Sequence, residues 1–160
     1  MALPKLRIVF EPALRRVFHF YWRFSRGLTL GVRALVIDEA GRIFLIQHSY
    51  VSGWHLPGGG VEARETVLEA LARELKEEGN IDLADQPAFH GLFHNRRVSG
   101  RDHVAVYVVR SFRQDRAPVP DREIIAHGFF APDELPPETT MSTRARIAEV
   151  ISGQTVPEHW

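Results

Sequence analysis

Three glutamates in the middle of the chain have a spacing that favours the binding of a cation. Glu74, Glu77 and Glu78 stand at positions i, i+3 and i+4 of a segment with helical periodicity, so a helix places them on one face. Like charges at these spacings destabilise a helix by about 0.2–0.5 kcal/mol per pair, and the C-terminal end of a helix also disfavours anions. A divalent cation reverses both penalties, and carboxylate oxygens suit Mg²⁺ or Mn²⁺.

Taken singly, each feature of this region has an ordinary structural explanation. Glutamate-rich helix faces are commonly solvated surface, and Lys76 or Arg73 can balance part of the charge. The preceding glycines, in the stretch LPGGG, can simply form a tight turn. The combination of both features at a fixed spacing is what indicates a functional site.

The segment from Gly59 to Ile81 resembles the Nudix box, whose pattern is G-x5-E-x7-R-E-U-x-E-E-x-G-U with U an apolar residue. All charged positions of the pattern are filled, and the matching residues are Gly59, Glu65, Arg73, Glu74, Leu75, Glu77, Glu78 and Ile81. Asn80 stands where the pattern has its final glycine. Asparagine tolerates a positive φ better than most residues, so we expect the turn to be kept. With its flanking segments, the resemblance covers residues 28–151.

The resemblance implies hydrolysis, dependent on Mg²⁺ or Mn²⁺, of the diphosphate bond of a nucleoside diphosphate linked to another group. It implies that the metal is held by the three glutamates Glu74, Glu77 and Glu78 together with the carbonyl of Gly58. Glu74 and Glu78 then belong to the catalytic set, and Glu74 is one candidate for the base that activates water. Glu65 and Arg73 are implied to form an ion pair that positions the helix.

Residues outside the box are further candidates for the site. Glu123 precedes the last strand, where many Nudix enzymes place another metal-binding or base glutamate, although a surface position in a proline-rich loop explains it equally well. A basic loop could bind the phosphates or the terminal group of the substrate, and its arginines are Arg96, Arg97 and Arg101. Solvated loop charge is the alternative. Trp54 and Tyr50 could stack on a base, but packing explains them better.

The competing interpretation is a non-catalytic Nudix domain that binds nucleotides or a protein partner. Such domains usually lose carboxylates of the box, whereas this chain keeps all of them. The pattern therefore favours an enzyme. Nothing in the sequence selects one nucleoside diphosphate derivative as the substrate.

The composition limits the remaining classes. The 160 residues suffice for one domain with a core, and the absence of cysteine excludes disulfides, thiolate metal sites and cysteine nucleophiles. Lysine plus arginine equals aspartate plus glutamate at 20 each, which argues against stable nucleic-acid binding. No apolar run approaches the roughly 20 residues that span a bilayer. We therefore expect a cytoplasmic protein that acts on a small molecule.

The order of predicted elements indicates an α/β (α+β) fold, a Nudix-like mixed β-sheet sandwiched between helices. Strands are predicted over residues 28–37 and 42–47, joined by a hairpin turn at 38–41. A helix over 66–78 follows, with Thr66 and Glu69 as a capping box. Further strands are predicted over 88–93, 103–112 and 124–130. A last helix over 142–151 is expected to have Ser142 as its cap and to end at Gly153.

An amphipathic helix is predicted over residues 11–26, which makes residues 1–27 an extension of the Nudix domain at 28–160. Aromatic residues fill one side of this helix and five basic residues the other. So much apolar surface must be covered by the domain, by a second copy of the chain or by lipid. We expect packing within the protein or in a homodimer rather than on a membrane.

Overall fold

Eight strands and two helices follow one another in residues 27–160, the part of the chain that the computed structural model describes. The strands are β1 (Thr29–Val36), β2 (Ile43–His48), β3 (Trp54–His55), β4 (Asp82–Leu83), β5 (Ala88–His94), β6 (Asp102–Val109), β7 (Phe112–Arg113) and β8 (Ile124–Phe130). The helices are α1 (Val67–Gly79) and α2 (Met141–Ser152). The helix predicted over residues 11–26 lies outside the described residues, so it stays a prediction.

The strands form two three-stranded sheets and one two-stranded pair. One sheet has the order β1-β6-β5, in which β1 and β6 are parallel and β5 is antiparallel to β6. The other sheet has the order β3-β2-β8 and is antiparallel, and β4 pairs with β7. The predicted mixture of parallel and antiparallel strands is confirmed.

The two helices lie on opposite sides of the sheets, as the alternation along β1 shows. Val32, Ala34 and Val36 belong to the core cluster that contains Leu71 and Leu75 of α1. Leu35 belongs to a second cluster, which contains Ile147 of α2. Successive side chains of a strand point to opposite faces, so β1 lies between the two helices. The predicted sandwich is therefore present.

Both ends of α1 are fixed by local interactions that the sequence predicts. Thr66 accepts a hydrogen bond from the backbone N–H of Glu69 at 3.2 Å, and its own N–H donates to the Glu69 carboxylate at 2.7 Å. The helix ends at Gly79, and Asn80 adopts the left-handed conformation with φ 49° and ψ 38°. The box glutamates consequently lie in the last two turns of the helix.

Replacing Asn80 with alanine is expected to destabilise the protein by about 1 kcal/mol relative to Asn80→Gly, because a Cβ is strained in the left-handed region. Both variants lose the hydrogen bond from the Asn80 amide to the carbonyl of Arg116. The difference between their free energies of unfolding in urea therefore measures the backbone alone. Equal stability of the two variants would show that the turn does not need this conformation.

Three local predictions are wrong in detail. The turn at 38–41 is present, with Gly41 at φ 76°, and an antiparallel bridge between Ile37 and Ile43 closes it, but the pairing extends no further because β1 and β2 belong to different sheets. Thr140, not Ser142, caps α2, since its hydroxyl accepts from the N–H of Thr143 at 3.3 Å. The strand predicted over 103–112 ends at Val109, after which the chain turns to pair with β4.

Candidate active site

A cavity of about 590 Å³ brings the glycine loop together with two glutamates of the box, Glu74 and Glu78. Its lining comes from β1, β6, the loop before α1, both helices and residues next to β8. Four carboxylates line this one cavity, and they are Glu74, Glu78, Asp102 and Glu123. Elements that are distant in sequence therefore deliver acidic groups to a single site.

The glycine loop runs alongside β1 as if it were a further strand. The N–H groups of Val32 and Ala34 donate to the carbonyls of Gly59 and Pro57 at 2.8 and 2.9 Å. Gly58 has φ 135°, and a Cβ at this position would lie 2.1 Å from the carbonyl oxygen of Val32. Only glycine fits so close to the strand, which explains the residue type.

Glu78 is the buried acid of the site, with 8% of its side chain exposed. One carboxylate oxygen accepts a hydrogen bond from the N–H of Gly58 at 2.6 Å. The pKa of Glu78 is raised to about 8, chiefly by burial. The hydrogen bond from Gly58 and the charge of Arg33 oppose the shift, and the charges of Glu74 and Glu123 add to it. The surrounding groups therefore supply too little positive charge to stabilise the ionised Glu78 carboxylate.

His48 does not supply that charge, although its Nε2 lies 3.7 Å from Glu78 Oε1. Burial lowers the pKa of His48, and the nearby Arg33 lowers it further. The imidazole is therefore neutral at neutral pH, and its contact with Glu78 is not an ion pair.

Arg73 holds the helix and the preceding loop together. Its guanidinium donates to Glu65 at 2.9 Å and to Glu74 at 2.7 Å, and it reaches the carbonyl of Gly60 at 3.2 Å. The predicted ion pair of Glu65 and Arg73 is present, and its hydrogen bond lowers the pKa of Glu65. Arg73 also forms ion pairs with Glu74 at 2.7 Å and with Glu77 at 3.4 Å, and the sequence did not predict either.

The donor set fits a hard cation in its chemistry, although its side chains do not converge on one point. Within residues 27–160, no group of three or more His, Asp or Glu side chains is arranged to hold a metal ion. Arg73 draws Glu74 and Glu77 to itself, the N–H of Gly58 holds Glu78, and the Gly58 carbonyl accepts from Arg33. The excess of carboxylates around a buried acid is nevertheless what a divalent cation neutralises.

Glu123 lies in the cavity on a loop whose shape is fixed by hydrogen bonds. Asp121 accepts from the N–H groups of Glu123 and Ile124 at 2.7 and 2.8 Å. Tyr50 donates its hydroxyl to the Glu123 carboxylate at 3.2 Å. The structure thus brings Glu123 to the same cavity as the box glutamates.

Other predicted residues lie outside the cavity lining. Glu77 has 62% of its side chain exposed, and the arginines Arg96, Arg97 and Arg101 are exposed on the loop between β5 and β6. That loop contributes Asn95 and Val98 to the lining instead. Trp54 packs edge-on against Phe130 at 4.9 Å, so it belongs to the core as expected.

Sequence reasoning missed two residues of the site, Arg33 and His48. Arg33 lines the cavity and donates to the carbonyls of Leu56 and Gly58. A charged residue inside the apolar strand GVRALV was the available signal. His48 gave none, because its role depends on contact with Glu78, thirty positions along the chain.

The metal-free protein is expected to lose thermal stability as the pH rises from about 4.5 to about 8. The pKa of Glu78 is about 8 in the fold against 4.5 for an ordinary glutamate, so between these values the folded state holds a proton that the unfolded state releases. The stabilisation that this proton provides is complete below the pKa of Glu78 in the unfolded state. It is lost as the pH rises through the pKa of Glu78 in the folded state. Melting curves in chelator should show it, and Glu78→Gln should remove it; an unchanged slope in the variant would contradict the assignment.

Comparison with known proteins agrees with the site. The NUDIX domain family model matches residues 27–150. The crystal structure of a MutT NUDIX hydrolase from Burkholderia pseudomallei superimposes with a TM-score of 0.65 at 30% identity, covering 76% of this chain and 97% of the other. An ADP-ribose pyrophosphatase from Streptococcus suis gives a TM-score of 0.61 at 27% identity, covering 82% and 95%.

An RNA pyrophosphohydrolase from Halorhodospira halophila is 43% identical over 61 residues, which are 38% of this chain and 34% of the relative. The chain thus spans about a third of the length of this curated relative. The mixed sheet between two helices and the filled glutamate pattern define a Nudix fold with its box. The chain belongs to the Nudix family.

Within residues 27–160, neither helix has the length and apolar character needed to cross a membrane.

Proposed function

We propose that the chain is a pyrophosphohydrolase that uses Mg²⁺ or Mn²⁺ to cleave the diphosphate bond of a nucleoside diphosphate linked to another group. The observation that supports this most is the buried Glu78, which shares one cavity with Glu74 and Glu123. The pKa of this acid is raised to about 8, chiefly by burial, and two further glutamate carboxylates lie in the same cavity. Such a group is better stabilised in its ionised form by a bound cation than by solvent. A filled Nudix box favours this enzyme over a domain that only binds nucleotides.

The carboxylates and the glycine loop would hold the metal. Glu74 and Glu78 lie in the cavity, with the Gly58 carbonyl beside them, whereas Glu77 reaches it only by releasing Arg73 and changing rotamer. Such an ion, when bound, would neutralise the charge of the diphosphate and orient the attacking water.

The protein's own groups supply the remaining chemistry. Glu74 and Glu123 are the two candidates that accept the proton of water, because both line the cavity and neither is enclosed like Glu78. Arg73 keeps Glu74 in position through its hydrogen bond. Arg33 brings a positive charge to the cavity, where it can face the phosphates.

The names of the relatives provide candidate substrate classes and do not select one of them. One relative is named ADP-ribose pyrophosphatase and others RNA pyrophosphohydrolase. We therefore include both a sugar-linked nucleoside diphosphate and a 5′-triphosphorylated RNA oligonucleotide among the substrates to be tested. The exposed arginines of the loop between β5 and β6 would bind the phosphates of long or highly charged substrates more strongly than those of small ones.

The test is a panel of these compounds incubated with the full chain and Mg²⁺, Mn²⁺ or chelator, with separated products as the readout. We expect cleavage of at least one compound at its phosphoanhydride bond, dependent on metal. Glu39→Gln is the matched control, because this glutamate is exposed in the turn after β1 and far in sequence from the box. Binding without cleavage across the panel would favour the non-catalytic alternative.

A further inference from the structure

Trp160 lines the active-site cavity although it lies 79 residues after Ile81, the end of the Nudix box. Residues 154–160 follow α2 and return to the edge of β5. There the N–H of His94 donates to the Glu158 carbonyl at 2.8 Å, and the N–H of Trp160 donates to the His94 carbonyl at 3.2 Å. These bonds fix the backbone of the segment beside the cavity.

The indole of Trp160 is held by contacts with buried side chains. Its ring meets Phe93 edge-on at a centroid distance of 5.9 Å, and the guanidinium of Arg146 lies 5.4 Å from its centroid. Arg146 is itself buried and bound to Glu149, so it cannot move freely. The indole is therefore a pre-positioned aromatic surface that is only partly covered by the protein.

Two valines line the same cavity as Trp160, and they are Val98 and Val104. Val104 belongs to the buried cluster against which Trp160 packs, whereas Val98 is 74% exposed. Val104 pairs with Gly31 of β1, which in turn bridges to Gly60 of the glycine loop. Two strand spacings separate these backbones by about 10 Å. A ribose with its phosphates can span this distance, from the strand that carries Val104 to the glycine loop, beside which Glu74 and Glu78 lie.

We propose that Trp160, with Val98 and Val104, forms the surface on which the aromatic base of the nucleotide stacks. This inference rests on the proposed function and adds the base as the part of the substrate that the segment 154–160 recognises. An indole suits a planar base because base–aromatic stacking is tolerant of base identity, whereas a bare phosphate has no ring to stack.

A polar edge accompanies this aromatic surface. Asn95 donates its amide to Asp102 at 2.8 Å, and the hydroxyl of Thr29 donates to the other Asp102 oxygen at 2.7 Å. All three residues line the cavity. They give the base-binding surface a fixed set of polar groups for hydrogen bonds to the edge of the base or to the ribose.

The experiment compares two substrates in wild type, Trp160→Ala, Trp160→Phe and Val98→Ser. One substrate is a sugar-linked purine nucleoside diphosphate, and the other carries the same diphosphate and sugars without the base. We expect Trp160→Ala to raise KM for the purine substrate about tenfold or more and to leave KM for the base-free substrate unchanged. Trp160→Phe should restore most of the affinity, and Val98→Ser should raise KM for the purine substrate alone.

Val98→Ser keeps the experiment informative if Trp160→Ala fails to fold, since this exposed side chain packs against little of the protein. Glu158→Ala is the matched control in the same segment, because its side chain is exposed and outside the cavity lining. An equal change of KM for both substrates, or no change for either, would overturn the proposal and leave Trp160 a purely structural residue.

A second measurement separates this inference from the proposed function. If wild type cleaves neither substrate, the proposed function fails, and calorimetric binding of a purine nucleoside monophosphate to the same variants decides the question. Binding that Trp160→Ala weakens about tenfold, and Trp160→Phe does not, supports the base-stacking surface without catalysis. Binding that is equal in wild type and Trp160→Ala, or no detectable binding to wild type, would overturn it.

Discussion

Replacing Glu78 with glutamine is expected to lower kcat by about a hundredfold or more, because changes to residues that merely orient metal ligands already cost about 10–100-fold. The substitution removes one negative charge and almost no volume. The amide oxygen can still accept the hydrogen bond from the N–H of Gly58, so the loop keeps its place. Steady-state kinetics at saturating Mg²⁺ measure the effect.

The fold of Glu78→Gln is expected to be at least as stable as that of wild type above neutral pH. A neutral amide escapes the cost of ionising a buried acid whose pKa is raised to about 8. Loss of activity with an unchanged or higher melting temperature therefore identifies a chemical role. Activity of Glu78→Gln close to that of Glu39→Gln would show that Glu78 is not needed to hold the metal.

Replacing Arg73 with alanine is expected to lower both stability and activity. The change leaves the Glu65 and Glu74 carboxylates, which are 17% and 14% exposed, without their main partner. Loss of these charge-assisted hydrogen bonds is expected to lower Tm by about a few degrees. We expect kcat/KM to fall by about 10–100-fold, because Glu74 loses the hydrogen bond that positions it.

Lys76→Ala is the matched control for Arg73→Ala on the same helix. Lys76 pairs with Asp82 at 2.7 Å, and about half of each side chain is exposed, so little change in activity is expected. Arg73→Lys keeps the charge but cannot make several directed hydrogen bonds at once. Its activity and Tm should therefore lie between those of Arg73→Ala and Lys76→Ala. A rise in KM with unchanged Tm and kcat in Arg73→Ala would instead make Arg73 a substrate-binding residue.

Local interactions explain why much of the fold could be predicted from the sequence. The start of α1 depends on Thr66 and Glu69, three positions apart, and the turn after it on the tolerance of Asn80 for positive φ. Strands β1, β2, β5 and β8 lie within one or two residues of their predicted positions because their apolar runs are bounded by turn residues. The pairing of Glu65 with Arg73 followed from the resemblance to the Nudix box.

The parts of the fold and of the site that the sequence does not predict depend on contacts between segments that are distant in the chain. No local pattern shows that β1 and β2, adjacent in sequence, pair in different sheets. The places of His48 beside Glu78 and of Trp160 beside Phe93 are likewise set by the assembled fold. The cap of α2 was misplaced by two residues because Thr140, Ser142 and Thr143 are all suitable cap residues, and only the geometry selects Thr140.

The roles of the exposed arginines and of residues 11–26 stay predictions. Arg96, Arg97 and Arg101 lie on a loop that borders the cavity through Asn95 and Val98, so their contribution depends on the size of the substrate. Removal of residues 1–26 should cause aggregation or loss of a dimer if that segment covers apolar surface within the protein. Strong flotation with anionic vesicles that the truncation abolishes would instead indicate a membrane-surface helix.

The central claim is that this site activates water for attack on a diphosphate bond with the help of a divalent metal. It is tested most directly by hydrolysis of a cleaved panel compound in ¹⁸O-labelled water, with mass spectrometry of both products. We predict one ¹⁸O atom in the phosphate of one product, no reaction in excess chelator, and recovery when Mg²⁺ is restored. Turnover that persists in chelator, or label found anywhere except on phosphorus, would contradict the account.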